Sequence, residues 1–449
     1  QWPQRVSHAD YAWDPSWSPD GRELAWHEWT LPDMPWDASR IVVRDDDGKH
    51  RVVADAPACG QPRFSPDGAH LAYVREDKLW IDDMPVLDEQ CAHAEPSWAP
   101  GQRSFAWSPD GNELAWCRNE QGFGRMVIGT PGGKSARELS KGWHRDIDWG
   151  APGIACTRSG AVTPTQVVVL ASNGSARRSV ARGPVGGFER TPLVEPRAVS
   201  WKAAGASVHG LLWRPAERAE RGARRLLVHV HGGPTGQALA DWSPRVQYFV
   251  QRGWTVLQPN FRGSTGYGDE YRRALEGRWG ELDTDDVAAG IRHAVREGWG
   301  DGPLVALMGG SAGGLTVLNV AARYPDLVAA VVALFPVTDL LALDATTHRF
   351  ESGYTTRLVG PLPESRARYI ANSPITHASK ITAPVLLLHG TDDTSVPPSQ
   401  SAEIEDVLRR AGRAVERHVY EGEGHGWRRA ATAADELDRV DSFLSRRFG

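Results

Sequence analysis

The chain has 449 residues, of which 41% are hydrophobic and 24% are charged. This length exceeds what one hydrophobic core normally organises, so we expect two domains. The formal net charge of −5 argues against the strong positive field that binding to nucleic acid or to an anionic membrane requires. No apolar run approaches the roughly 20 residues of a membrane-spanning helix. We therefore expect no nucleic-acid partner, no membrane partner and a cytoplasmic location.

The first half of the chain contains a repeated ten-residue string. It spans Trp17–Trp26, returns as Phe64–Tyr73 and Trp107–Trp116, and recurs in shortened form within Trp149–Cys156. Each full copy carries an aromatic residue, a Ser-Pro-Asp-Gly turn and a second apolar segment. Proline presets φ at the second position of the turn, and glycine accepts positive φ beyond it. Each copy therefore predicts two strands joined by a tight turn.

The spacing of the repeats indicates the architecture. The marker glycines Gly21, Gly68, Gly111 and Gly153 are 47, 43 and 42 residues apart. A period of this length with a hairpin is typical of a four-stranded propeller blade, whereas a β-sandwich with recurring turns would not keep a fixed spacing. We predict an N-terminal all-β propeller of about four blades over residues 1–195.

The residues after 195 alternate compact apolar runs with helical patterns. Such alternation predicts a mainly parallel, doubly wound sheet. The expected strands are Leu226–Val230, Thr255–Leu257, Leu304–Met308, Leu327–Leu334, Val385–Leu388 and Ala414–Tyr420. The expected helices are Asp283–Glu297, Ser311–Tyr324, Ser399–Ala411 and Ala433–Phe448. We predict a second domain over residues 196–449.

The segment Gly309–Gly314 carries a serine between small residues. It follows an apolar run and opens a helical pattern, which is the strand–turn–helix context of a nucleophile elbow. Small neighbours are needed because this turn is tight. Ser311 is the candidate nucleophile, and the N–H of Ala312 is a candidate donor to the oxyanion.

Two later segments extend this pattern. The apolar run Pro384–Gly390 is followed by Asp392 and Asp393, and the last expected strand is followed by His425. The order Ser, Asp, His is that of the α/β-hydrolase triad, and ligands bind beyond the carboxyl ends of such strands. His425 is therefore the candidate general base. The residues alone leave the orienting acid open between Asp392 and Asp393.

Several strings resemble the prolyl oligopeptidase family of serine peptidases. The Ser-Pro-Asp-Gly repeats resemble its propellers, and Pro259–Gly268 resembles its Arg-Gly-Ser-x-Gly-Tyr-Gly signature. The loop His389–Pro397 resembles the acid loop of the family, in which the acid stands three residues before the Val of Val-Pro, and this selects Asp393. The His-Gly-Gly-Pro segment is similar to that of acylaminoacyl peptidases, which implies that Gly233 supplies a second oxyanion donor. The expected fold class is an α/β-hydrolase catalytic domain with a doubly wound, mainly parallel sheet, plus the propeller.

The resemblance implies hydrolysis of peptide or amide bonds of small substrates through an acyl-enzyme. Acylaminoacyl peptidases often carry an arginine two residues after the catalytic Asp, where it holds the substrate upstream of the cut; this chain has Ser395 there. We therefore predict an aminopeptidase that releases one N-terminal amino acid, from a small peptide or from an aminoacyl amide such as a small antibiotic. The alternatives are an acylaminoacyl or dipeptidyl peptidase, a carboxylesterase and a non-catalytic scaffold.

An aminopeptidase needs an acidic group for the ammonium of its substrate. The candidates are Glu28, in the propeller, and Glu351, which has apolar Phe350 and Tyr354 nearby. Either glutamate could instead be a solvated surface charge. The expected partner is a small peptide or aminoacyl-amide substrate, and a homo-oligomer is possible.

We expect no cofactor and no metal. His229 and His231 form a His-x-His string at a strand end, but no third ligand run accompanies it. The four cysteines fit no Cys-x-x-Cys spacing, so we expect reduced core thiols. These are Cys59, Cys91, Cys117 and Cys156.

Overall fold

The computed structural model describes residues 4–185, 187–188, 191–215 and 224–449. Contacts divide the chain into two compact units. The first unit extends to Pro192 and also takes in Leu239–Trp242 and Thr265–Asp269. The second unit comprises Leu193–Ala238, Ser243–Ser264 and Glu270–Gly449. The domain boundary between residues 195 and 196 stays a prediction.

The first unit is built from antiparallel β-sheets. Its described residues form four sheets of four strands, and each sheet contains one copy of the repeat. This is the expected propeller of about four blades. The strands are β1 (Tyr11–Trp17), β2 (Leu24–Trp29), β3 (Ser39–Arg44) and β4 (His50–Ala56); β5 (Gly60–Phe64), β6 (Leu71–Arg75), β7 (Lys78–Ile81) and β8 (Met84–Pro85); β9 (Phe105–Trp107), β10 (Leu114–Glu120), β11 (Phe123–Gly129) and β12 (Arg137–Lys141); and β13 (Trp143–Gly150), β14 (Gly153–Gly160), β15 (Thr163–Leu170) and β16 (Arg177–Arg182).

The repeated turn joins the first two strands of each blade. In the second blade the Gly68 N–H donates to the Ser65 carbonyl at 2.9 Å, and Gly68 has a φ of +76°. The Ser65 hydroxyl donates to Asp67 at 2.6 Å and accepts from the His70 N–H at 3.0 Å. The turns that begin at Ser18 and Ser108 have the same bonds. The repeat therefore encodes a turn that is closed by its own side chains.

Neighbouring blades share apolar residues, and the cysteines lie among them. Cys59 lies in the cluster between the first two blades, and Cys117 and Cys156 lie in the cluster between the last two. Burial raises the pKa of each of these three thiols to about 12. Cys91 is half-buried, and all four cysteines are free thiols.

The second unit contains an eight-stranded sheet among its described residues. The strand order is β17-β18-β20-β19-β21-β22-β23-β24. The β17–β18 and β18–β20 pairs are antiparallel, and the other neighbours are parallel. This is the expected doubly wound sheet of an α/β-hydrolase. The strands are β17 (Arg197–Ala203), β18 (Ala206–Trp213), β19 (Arg225–Val230), β20 (Trp254–Asn260), β21 (Val305–Gly310), β22 (Ala330–Leu334), β23 (Val385–Gly390) and β24 (Val415–Tyr420).

The four expected helices are present in this unit, with ends shifted by up to three residues. The expected strand over Leu327–Leu334 begins later because Pro325–Leu327 forms a 3₁₀ turn. No helix among the described residues combines the length and apolar character needed to cross a membrane. The helices are α1 (Pro244–Gln251), α2 (Asp269–Arg273), α3 (Leu282–Arg296), α4 (Ala312–Arg323), α5 (Leu340–Thr346), α6 (Tyr354–Val359), α7 (Arg366–Asn372), α8 (Pro374–His377), α9 (Ser399–Arg410) and α10 (Ala430–Phe448).

Candidate active site

Ser311 lies in a strained turn between β21 and α4. Its φ of 56° and ψ of −124° are unusual for a residue with a side chain. The Ser311 N–H donates to the Leu334 carbonyl of the neighbouring strand at 3.0 Å. Such strain persists only where the surrounding structure holds it, and it is common at functional sites.

The glycines beside Ser311 are required by contacts with other parts of the fold. A Cβ atom at Gly309 would lie 2.3 Å from the Gly313 oxygen, and one at Gly313 would lie 2.4 Å from the Val230 oxygen. A Cβ atom at Gly314 would lie 2.6 Å from Pro336 Cβ. These distances are too short for real atoms, so the strand–turn–helix unit accepts only glycine at these positions.

Asp393 and His425 meet at the carboxyl ends of β23 and β24. His425 Nδ1 lies 2.7 Å from Asp393 Oδ2. The other carboxylate oxygen accepts from the N–H groups of Ser395 and Val396, at 3.0 and 2.9 Å. Asp392 is exposed and accepts from the Thr391 hydroxyl. The structure therefore places Asp393, and not Asp392, against His425.

The charges of this pair follow from their surroundings. Burial by itself would raise the pKa of Asp393, but hydrogen bonds from His389 and His425 hold it well below its usual range. The carboxylate is thus ionised, and His425 Nδ1 carries the proton that it donates. In a neutral imidazole this leaves Nε2 as the basic nitrogen. The His425 side chain is 29% exposed while the Asp393 carboxylate is fully buried, so the imidazole and not the carboxylate is accessible from outside.

One cavity of the second unit is lined by Ser311, Ala312, Gly233 and His425. The candidate nucleophile, both candidate oxyanion donors and the candidate base therefore surround the same space. The other lining residues are Trp279, Val337, Leu343, Glu351, Tyr354, Thr355, Ser395 and Val396.

The loop that carries Gly233 is held at both ends. His231 Nδ1 lies 2.8 Å from the Gly232 oxygen and Nε2 lies 2.8 Å from the Ser264 hydroxyl. Burial lowers the pKa of His231 to about 4, so the ring is neutral and donates through Nδ1. At the other end, the Tyr354 hydroxyl accepts from the Thr235 N–H at 3.1 Å. These bonds preorganise the loop beside Ser311.

The histidines of the His-x-His string have local partners. His229 Nδ1 lies 3.4 Å from the Gln258 amide nitrogen, and burial lowers the pKa of His229 to about 3. Across the described ranges, no group of three or more His, Cys, Asp or Glu side chains is arranged to hold a metal ion.

The predicted substrate-binding residues have different surroundings. Glu351 and Tyr354 line the cavity. Phe350 lies 6.3 Å from His348, between ring centres, and is not among the lining residues in the described chain. Glu28 lies in β2 of the first unit. Its carboxylate accepts from Arg40 Nε at 2.9 Å, from Trp26 Nε1 at 2.6 Å and from the Ser7 hydroxyl.

Sequence reasoning did not single out His389, which contacts Asp393, or the cavity residues Trp279, Val337 and Leu343. The signals for His389 were its position at the end of a buried strand and its place at the start of the segment His389–Pro397. Arg262, which lies in the segment Pro259–Gly268, forms an ion pair with Asp286 at 2.5 Å. Its own N–H also donates to Asp286, at 2.9 Å.

Comparison with known proteins agrees with this geometry. Residues 240–449 match the prolyl oligopeptidase family. Dipeptidyl peptidase family member 6 of Caenorhabditis elegans is 29% identical over 232 residues, which cover 50% of this chain and 31% of that protein. The acylamino-acid-releasing enzyme of Arabidopsis thaliana is 30% identical over 210 residues, covering 44% of this chain and 27% of that enzyme. The matched part thus spans less than a third of either curated relative.

A solved structure is similar over nearly the whole chain. The crystal structure of puromycin hydrolase matches with a TM-score of 0.91 and 29% identity, covering 98% of this chain and 70% of that one. Because the match covers nearly the whole chain, it takes in the four-stranded sheets of the first unit as well as the eight-stranded sheet of the second. By its family match and by its motifs, the chain carries a prolyl oligopeptidase family domain over residues 240–449.

Proposed function

We propose that this protein is an aminopeptidase of this serine peptidase family, which releases one N-terminal amino acid from small peptides and aminoacyl amides. The observation that carries the proposal is the position of Glu351. Glu351 lines the same cavity as Ser311 and His425. A carboxylate beside the nucleophile favours a substrate whose amino group is free and charged.

The reaction proceeds through an acyl-enzyme. The Ser311 hydroxyl attacks the scissile carbonyl carbon, and His425 Nε2 takes its proton. Asp393 holds the Nδ1–H of His425 and stabilises the imidazolium that forms. The imidazolium then protonates the leaving amine. Water enters, gives a proton to His425 and attacks the ester, which frees the amino acid and restores Ser311.

The negative oxygen of each tetrahedral intermediate needs donors that are already in place. The backbone N–H groups of Ala312 and Gly233 are the proposed donors. The two residues line the same cavity as Ser311, and the Gly233 loop is fixed by Tyr354. Donors on a preorganised loop need no rearrangement when the charge develops.

Ser395 and Glu351 together favour the release of a single residue. Ser395 stands where acylaminoacyl peptidases often carry the arginine that holds the upstream part of a substrate. Its N–H donates to Asp393, and its short side chain cannot replace that arginine. Glu351 would instead bind the ammonium of the first residue. The Thr347 hydroxyl donates to Glu351 Oε2 at 3.2 Å and orients the carboxylate.

The similarity to puromycin hydrolase supports aminoacyl amides as the substrate class. Puromycin joins an amino acid with a free amine to an aminonucleoside through an amide bond. A site with an ammonium-binding carboxylate on the acyl side fits this chemistry. We propose antibiotics of this type among the substrates.

The test is a matched pair of aminoacyl p-nitroanilides, one with a free amine and one acetylated. We expect the free amine to be cleaved at least about 100-fold faster in kcat/KM, since an ion pair in a partly buried site contributes about 3 kcal/mol. The Ser311→Ala variant serves as the blank. A preference for the acetylated compound would overturn the aminopeptidase proposal.

The role of Glu351 is tested by Glu351→Gln. We expect KM for the free amine to rise at least about tenfold, with no change for the acetylated compound. Glu364→Gln, at an exposed glutamate, is the matched control and should leave KM unchanged. Equal losses on both compounds would assign Glu351 a structural role instead.

An acylaminoacyl or dipeptidyl peptidase is the second candidate, favoured by the names of two relatives. Preference for a blocked amine supports the first activity, and release of dipeptides supports the second. Cleavage of simple esters without cleavage of either anilide would indicate a carboxylesterase with the same proposed triad.

The cytoplasmic location and the homo-oligomer stay proposals. The location is supported by the four cysteines, all of which are thiols, as is typical of proteins in reducing compartments. Fractionation of the native host tests the location, and sedimentation of the purified protein tests the assembly.

A further inference from the structure

A second buried histidine contacts the Asp393 carboxylate. His389, the penultimate residue of β23, has no exposed surface. Its Nε2 lies 3.4 Å from Asp393 Oδ2, the same oxygen that bonds His425. The same nitrogen lies 2.9 Å from the Val396 oxygen. Asp393 thus lies between two imidazole rings.

The neighbours of His389 determine where its proton lies. Both groups near Nε2 are acceptors, the Val396 carbonyl and the Asp393 carboxylate, so Nε2 carries a hydrogen. Nδ1 lies 2.6 Å from the hydroxyl of Ser401, which is buried in α9. That hydroxyl can donate to Nδ1 or to the Pro398 carbonyl, which is 3.2 Å away. His389 therefore ties α9 to the acid loop with its N–H directed at Val396 and Asp393.

Val396 forms hydrogen bonds with both His389 and Asp393. Its carbonyl accepts from His389, and its N–H donates to Asp393 Oδ1. Val396 also lines the cavity of Ser311. A change in His389 would therefore move the peptide group that orients the carboxylate. The effect on the reaction would pass through Asp393 and His425, since His389 is not among the residues that line the cavity in the described chain.

We propose that His389 is a positioning residue, whose Nε2–H holds the Val396 peptide and the Asp393 carboxylate in the orientation that His425 needs. The proposal rests on the triad role of Asp393 in the proposed function. It gives the second histidine a part in the reaction, without contact with the substrate.

The chain offers a matched pair of variants at this position. A glutamine places its amide NH₂ near the former Nε2, whereas an asparagine places its polar atoms near the former Nδ1. Both residues are uncharged amides. The glutamine can keep the bonds of Nε2 with Val396 and Asp393, whereas the asparagine can keep only the bond of Nδ1 with Ser401. We expect His389→Gln to retain most of the activity and His389→Asn to lose about 10- to 100-fold, as is usual when a residue that orients a reactive group is removed.

The measurement is the rate at which a fluorophosphonate labels Ser311, followed from pH 5 to 9. This rate depends on the triad and needs no knowledge of the natural substrate. We expect the Asn variant to be labelled more slowly than the wild-type protein. We also expect the acid limb of its pH–rate profile to shift to lower pH, because a displaced Asp393 carboxylate stabilises the charged form of His425 less. Thermal unfolding of both variants checks that they are folded. His377→Asn is a control, since His377 also bonds a carbonyl, that of Ala371 at 3.1 Å, but is only partly buried.

The outcomes separate this proposal from the proposed function. Equal labelling by the Asn and Gln variants, or slower labelling with an unchanged acid limb, would overturn the positioning role. No labelling of the wild-type protein would overturn the triad itself. Labelling of the wild-type protein without cleavage of any anilide would overturn only the substrate assignment and leave the test of His389 intact.

Discussion

The repeat turns of the first unit and the turn at Ser311 in the second unit use glycine for different reasons. In the repeat turn, positive φ falls on a glycine such as Gly21, at +73°, and no described atom lies within 4 Å of where its Cβ would be. In the turn at Ser311, positive φ falls on the serine itself, at 56°, while a Cβ atom at Gly313 would be crowded by the Val230 oxygen. The conformation of the repeat turn is determined by its own residues. The conformation of the turn at Ser311 is determined by contacts with other segments of the fold.

The carboxyl groups of these regions differ in the same way. Asp67 of a repeat turn is exposed, and its bonds to the Ser65 hydroxyl and the Ala69 N–H lower its pKa. Asp283 at the start of α3 is fully buried, and burial raises its pKa to about 6. Local bonding dominates at the first site and desolvation dominates at the second. The comparison teaches that short-range signals describe the propeller well and the second unit less completely.

The largest expected effect is on kcat and comes from two neighbouring aspartates, one buried and one exposed. We expect Asp393→Asn to lower kcat about 10⁴-fold, because an amide cannot hold His425 in the productive tautomer. Asp392→Asn is the matched control and should change kcat less than about threefold, since Asp392 bonds Thr391 at the surface. The measurement is steady-state hydrolysis of the preferred anilide. Similar losses in both variants would show that the position of the carboxylate in the fold does not decide its role.

The second expected effect is on the free energy of unfolding and comes from the crowded and the open glycines. We expect Gly313→Ala to lower the free energy of unfolding by more than about 3 kcal/mol, because the new Cβ would overlap backbone atoms. Gly21→Ala should cost only about 1 to 2 kcal/mol, the strain of a side chain at positive φ. Urea unfolding of both variants measures the difference. Equal shifts of the midpoint would contradict the contrast between a crowded and an open glycine.

The third expected effect is on the pH dependence of stability and comes from Asp283, a buried carboxyl group in contact with Thr316 of α4. The Thr316 hydroxyl lies 2.5 Å from Asp283 Oδ2 and 3.1 Å from the Ala312 oxygen, and it has one proton to donate. A protonated Asp283 satisfies both contacts, whereas an ionised one does not. Arg323 is the charged group that acts on it, in the direction of a lower pKa.

Because the folded pKa of Asp283 is raised from 3.8 to about 6, the wild-type protein loses stability as pH rises between these values. Asp283→Asn mimics the protonated acid and should avoid up to about 3 kcal/mol of that loss at pH 7. Asp110→Asn is the control: the folded pKa of Asp110 is lowered, so its contribution is lost only in acid and should be constant from pH 5 to 8. Urea unfolding against pH measures both. A constant difference between wild type and Asp283→Asn would refute the buried proton.

Much of the fold could be predicted because its signals lie close together in the chain. The repeat spacing predicted the blades, and the alternation of apolar runs predicted the parallel strands. Helices α5 to α8 were not predicted, because they are short and are separated by residues such as Gly353, Gly360 and Pro363 that interrupt any helical period. The antiparallel strands β17 and β18 were also missed.

The candidate site was predictable to the extent that its residues occur in motifs. The strand–turn–helix around Ser311 and the position of His425 after a strand were readable directly. Glu351 could be suggested only by the need for an acid, and nothing nearby in the chain related it to Ser311. Its place on the cavity wall depends on how the segment between β22 and β23 folds back.

The sequence by itself determined the repeated turns, the alternation of parallel strands and helices in the second domain and the three residue types of the proposed triad. These features depend on bonds within a few residues or on regular periods, which a linear chain displays. The residues alone left Asp392 and Asp393 open, and a resemblance selected Asp393. Only the tertiary structure showed the contact of Asp393 with His425, brought His389 to the same carboxylate and put Glu351 on the cavity that Ser311 lines. Such contacts join segments that are distant in the chain, and their energies depend on burial and distance, which exist only in the folded molecule.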